Sequence, residues 1–160
     1  MAEALARKAL AAKGIEANVE SAGTQAESGV SQSSVGAMAK RDLDIAGHEA
    51  QQFGPEMADR FDLILCMEDH HRSAVMTMAP QVESKVFSLC DFLARTKHAP
   101  PKKSQALAEW VATIGEVHAS NVGGIRDPLA EGTQEAYEAT AMQLDALLEE
   151  LASLSAILRT

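Results

Sequence analysis

Apolar positions along this chain follow two spacings, that of helices and that of strands. Residues 2–13 are rich in Ala and Leu with Arg7, Lys8 and Lys13 interspersed, and predict a helix. Gly14 suits the left-handed position after its last turn. Ile15 and Val19 mark a short strand over 15–21, ended by Gly23 and followed by a polar loop over 24–33. Val35, Met38, Ala39 and Leu43 give one apolar face to a second helix over 34–46, with Gly47 as its stop. Pro55 opens a short helical turn reaching Arg60. Residues 63–67 are apolar without interruption, the mark of a strand buried on both faces. Glu68 and Asp69 then start a third helix that Pro80 ends, and residues 85–89 form another apolar strand.

The second half is mostly helical. Residues 96–104 carry Pro100, Pro101 and three lysines and predict an exposed connection. Leu107, Trp110, Val111 and Ile114 mark an amphipathic helix over 105–118. Gly123 and Gly124 make a flexible loop. Thr133 can cap a last helix whose stripe carries Leu144, Leu147, Leu148, Leu151, Leu154 and Leu158. Strands alternating with helices predict an α/β fold, a parallel sheet with helices on both faces. Only three strands are convincing.

Composition narrows the picture. At 160 residues the chain is one domain, 1–160, large enough for a sizeable core. Aromatic residues are scarce, so that core must be built from Leu, Ile, Val, Ala and Met. A net charge of -9 argues against general nucleic-acid binding, and requires a locally positive pocket for any anionic ligand. Cys66 and Cys90 form no disulfide pattern, which fits a reducing cytoplasm. No secretory apolar core opens the chain, and no apolar run reaches membrane-spanning length.

Several short motifs carry chemistry. Cys66-Met67-Glu68-Asp69-His70-His71-Arg72-Ser73 literally fits cysteine, five residues, arginine, serine. A phosphate nest, however, wants small residues and free backbone amides. Glu68 and Asp69 would repel a phosphate and raise the thiol pKa, so Cys66 is read as a buried strand residue. His70 and His71 with Glu68 and Asp69 suggest a metal, but adjacent residues diverge on a helix, and a solvated helix face is expected instead. No metal or other cofactor is expected. Asp127-Pro128 suits a turn start or a stiffened loop carboxylate.

In their order along the chain, Met1-Ala2-Glu3-Ala4-Leu5, Ser21-Ala22-Gly23-Thr24, His48, the run 63–67 and Asp127-Pro128 resemble the low-molecular-weight protein-tyrosine-phosphatase family. The resemblance covers nearly the whole chain. It implies a three-layer α/β fold with a four-stranded parallel sheet, and hydrolysis of phosphomonoesters through a phosphocysteine. It also implies a phosphorylated protein or small phosphomonoester as substrate. Asp127 would be the general acid, on a loop stiffened by Pro128. Ser21 and His48 would form hydrogen bonds beneath the phosphate loop and keep it in shape. In the family that loop and the first, central strand precede the helix matched by 2–13, so the chain is expected to lack both, and with them the nucleophile. Two inner sheet edges would then be unpaired, open to each other or to a second copy in a homo-oligomer.

Other departures follow from the same resemblance. Only Leu129 and Ala130 follow Asp127-Pro128, and no aromatic residue lies in 25–30, so the expected wall against a phosphotyrosine ring is missing. The segment holding the helix 105–118 is an addition. A non-catalytic pseudophosphatase acting as a docking module is the alternative. Arsenate reduction ranks last, because Cys66 and Cys90 are 24 positions apart.

Overall fold

A computed structural model describes residues 1–26, 29–118 and 122–159. Helix α1 (Ala2–Ala12) ends at Gly14, whose φ of +67° is the left-handed conformation that glycine adopts freely. Helices α2 (Gln32–Ala39) and α3 (Pro55–Asp59) follow, then strand β1 (Ile64–Cys66) and helix α4 (Asp69–Met78). A 3-10 turn (Pro80–Lys85) leads into strand β2 (Val86–Ser88) and directly into helix α5 (Leu89–Thr96). Helix α6 (Leu107–Gly115), a 3-10 turn (Pro128–Ala130) and the long helix α7 (Gln134–Ile157) complete the chain.

Strands β1 and β2 pair in parallel, with Ile64 opposite Val86, Leu65 opposite Phe87 and Cys66 opposite Ser88. Side chains alternate across this small sheet as the pleat requires. Leu63, Leu65, Met67 and Phe87 pack into the larger core, with Leu5 of α1, Phe92 of α5, Trp110 of α6 and Leu144 and Leu148 of α7. Ile64, Cys66 and Val86 point the other way, onto Phe53, Ala58, Val75, Ala79 and Val82. The result is three layers, helices on either side of a parallel sheet, as the alternation of strands and helices predicted. Phe92 anchors the larger core through edge-to-face contacts with Phe87 and Trp110, each at 5.4 Å between ring centres.

Three sequence expectations change. Residues 15–21 are not a strand: among the described residues this part of the chain contributes only one parallel bridge, Gly23 to Gln52. Its backbone is held instead by a side chain, since Arg7 donates to the Val19 carbonyl at 2.6 and 3.1 Å. The second helix stops at Ala39 rather than 46, because Asp42 takes a left-handed φ of +57° and turns the chain before Gly47 is reached. The run 63–67 packs on both faces of the sheet but less deeply than expected: Cys66 is buried, while Leu63, Ile64, Leu65 and Met67 are half-buried. Helix α5 goes unrecognised in the pattern, although Ser88 caps it by accepting from the Asp91 amide.

Candidate functional site

The loop holding Asp127 is fastened to the end of β1. The Ile125 amide donates to the Met67 carbonyl at 2.8 Å. Gly124 lies so close that a Cβ there would sit 2.8 Å from that carbonyl oxygen and 3.1 Å from Glu68 Cα. Beyond this contact, an Asp127 carboxylate oxygen accepts from the Leu129 amide at 2.9 Å and caps the 3-10 turn begun by Pro128. Asp-Pro thus serves the turn and orients the carboxylate at once.

Asp127 lines an open cleft of about 270 Å³ together with Met1, Glu68, His71 and Arg126. The N-terminal end of α1 forms part of its wall, and a helix start favours anions. Arg126 adds positive charge, while Glu68 and Asp127 add negative charge. Burial lowers the His71 pKa and His70 lowers it further; Glu68 and Asp127 act in the opposite direction.

Ser21 and His48 come together, but neither is among the residues lining that cleft. The Ser21 hydroxyl lies 3.5 Å from His48 Nε2 and donates to Glu3 at 2.6 Å. Glu3 also pairs with Arg7 at 2.8 Å. Glu3 was invisible to sequence reasoning as a member of this group. It reads as an ordinary first-turn acid favoured by the helix dipole, and only the fold sets it opposite Ser21.

The literal Cys66-to-Arg72 motif is taken apart by the fold. Cys66 is in β1 and buried, and burial pushes its thiol up to about 11, with Arg72 offsetting only part of that. Arg72 donates to the Val86 carbonyl at 3.1 Å, so its guanidinium is partly committed to the sheet. Glu68, His70 and His71 depart from expectation in another way. Glu68 is the extended residue before α4, so its side chain is free to turn back toward the first turn. One donor atom from each of the three lies within 4.8 Å of the others. The two imidazole rings are 4.0 Å apart.

In this parallel α/β fold a loop carboxylate and a helix start converge on one cleft at the end of β1. The chain belongs to the low molecular weight phosphotyrosine protein phosphatase family, whose model matches residues 1–107. It is 34% identical over 74 residues to the low molecular weight protein-tyrosine-phosphatase Etp of Escherichia coli, covering 46% of this chain and 50% of that one. It is 36% identical over 73 residues to Wzb of the same species, covering 44% and 50%. The chain thus aligns with about half the length of these relatives. The fold is shared with YwlE from Bacillus subtilis, at a TM-score of 0.72 and 23% identity over 95% of this chain and 86% of that one. A low molecular weight protein tyrosine phosphatase from T. tengcongensis matches similarly, with a TM-score of 0.72 and 24% identity over 95% and 87%. Among the described residues no helix is long and apolar enough to cross a membrane.

Proposed function

We propose that this chain is the scaffold of a cytoplasmic phosphomonoester hydrolase. In it Asp127 donates the proton to the leaving group, and Ser21 and His48 hold the shape of a phosphate-binding loop. By itself, the 160-residue polypeptide is catalytically silent. The observation that carries this reading is the state of Cys66. It heads the one cysteine, five residues, arginine sequence in the chain, and its buried thiol is raised to about 11. At neutral pH such a thiol is ionised on the order of one part in ten thousand. Phosphocysteine chemistry needs the thiolate, and Glu68 and Asp69, two and three positions after Cys66, carry the wrong charge.

The test has two arms. Hydrolysis of an aryl phosphate is measured for the chain, Cys66→Ser and Asp127→Ala. Background rates in all three are expected; robust turnover abolished by Cys66→Ser would overturn the silent-chain reading. In the second arm, phenyl phosphate is titrated while backbone amide resonances are followed. Shifts at Ala2, Glu3, Arg126 and Asp127 are expected, and shifts confined to other regions would remove Asp127 from the site. A second reading, a docking module without catalysis, is favoured by the half-buried apolar residues of β1. It shares the silent first arm and differs in predicting no phosphate-dependent shifts in the cleft.

A further inference from the structure

We propose that Glu68, His70 and His71 form a binding site for a divalent transition-metal ion of the zinc type, on the wall of the Asp127 cleft. The set is one carboxylate and two imidazoles, donors that suit zinc, cobalt and nickel over magnesium or calcium. One donor atom from each side chain already lies within 4.8 Å of the others, and His70 Nδ1 is 3.7 Å from a Glu68 oxygen. Tetrahedral zinc, with ligand bonds of about 2.0–2.1 Å, needs its donors roughly 3.4 Å apart, so small side-chain rotations complete the set.

The local backbone explains why residues so close in sequence converge. On a regular helix, neighbouring side chains point about 100° apart and do not share a ligand. Glu68 escapes this because it is the extended residue before α4, with φ of -133° and ψ of 160°; His70 and His71 lie in the first turn of α4 itself and are brought together by their side chains, whose rings are 4.0 Å apart. Its carboxylate makes no capping bond to the helix amides, so it is not already committed there. His70 is largely exposed, which gives an ion access from solvent. Glu68 and His71 also line the cleft with Asp127 and Arg126, so a bound cation would offset the two carboxylates and add to the positive charge of Arg126 there. Three protein ligands leave a fourth position open, the arrangement of sites that keep an exchangeable ligand.

The test is titration of the 160-residue chain with Zn²⁺ alone by calorimetry and with Co²⁺ by optical absorption. One saturable ion per chain is expected, with a cobalt spectrum lacking any thiolate-to-cobalt charge-transfer band. That absence separates this site from Cys66 and Cys90. His70→Ala is at an exposed position and should fold normally; it is expected to weaken binding at least about tenfold, and the double His70→Ala/His71→Ala variant at least about a hundredfold. Circular dichroism checks that each variant is folded. No saturable binding, a thiolate band, or undiminished affinity in folded His70→Ala would each overturn the proposal.

Discussion

At the scale of single residues, backbone clearance constrains Gly124 and burial constrains Cys66, both at the end of β1. Gly124 is needed because the loop passes directly over the end of β1, leaving 2.8 Å between an added Cβ and the Met67 carbonyl oxygen. The obstacle is backbone, which cannot swing aside as a side-chain tip would. Gly124→Ala is therefore expected to cost about 1–3 kcal/mol and to break the Ile125–Met67 hydrogen bond. Urea unfolding measures the first effect, and exchange protection of the Ile125 amide measures the second. An unchanged midpoint would mean that the loop is not held as described. Cys66 makes a prediction with a definite sign. Its folded pKa is raised from 9.0 to about 11, so the folded chain keeps a proton that the unfolded chain releases. Its contribution to stability is whole below pH 9 and is lost as the pH rises toward about 11, by up to roughly 3 kcal/mol. Cys66→Ala, compared with the parent chain in denaturant melts across that range, should flatten the alkaline decline. An equal decline in both would assign it to other groups.

At the scale of elements, α7 is the beam of the larger core. Tyr137, Ala141, Leu144, Leu148 and Ala152 form its buried stripe, and α1 lies along it. Leu148→Ala is expected to cost about 2–4 kcal/mol, whereas Met142→Ala, at a side chain 65% exposed, should stay within about 0.5 kcal/mol. Thermal unfolding of the pair provides the check, and equal losses would contradict this orientation of α7. This helix was legible in the sequence because its leucines recur at helical spacing behind the Thr133 cap, and β1 and β2 because apolar runs are bounded by charge. Helix α5 had the same kind of signal in Leu89, Phe92, Leu93 and Thr96, hidden because its cap, Ser88, is also the last residue of β2. The end of α2 was not legible: a left-handed Asp42 is a choice that neighbouring turns impose, while Gly47 offered a more conspicuous stop. In the candidate site, Asp127-Pro128 announced itself through its proline. The contact of Glu3 with Ser21 spans 18 positions, and the convergence of Glu68 with the histidines depends on where one helix begins. Neither is written in spacing alone.

At the scale of the whole molecule, the unusual feature is a sheet too small for its apolar strand. Among the described residues β1 ladders only with β2, and Leu63, Ile64 and Leu65 are half-buried although all are strongly apolar. A strand that ladders on one side only among the described residues, and whose apolar side chains are half-buried, can act as a template for another strand. Strand addition between two copies would pair those backbone groups and remove the leucines and isoleucine from water, each side chain contributing about 1 kcal/mol or more as it is covered. Self-association that increases with concentration is therefore expected in sedimentation-velocity measurements, through β1 rather than through the exposed side of α7. Because Leu65 also packs against the larger core, Leu65→Lys is compared only where circular dichroism and thermal unfolding show it folded; it should then shift the equilibrium toward monomer at least tenfold, while Met142→Lys should leave it unchanged. A chain that stays monomeric at all concentrations, or that responds to Met142→Lys instead, would mean that β1 is covered within a single copy. The half-buried strand would then be a feature of the fold and not of its assembly.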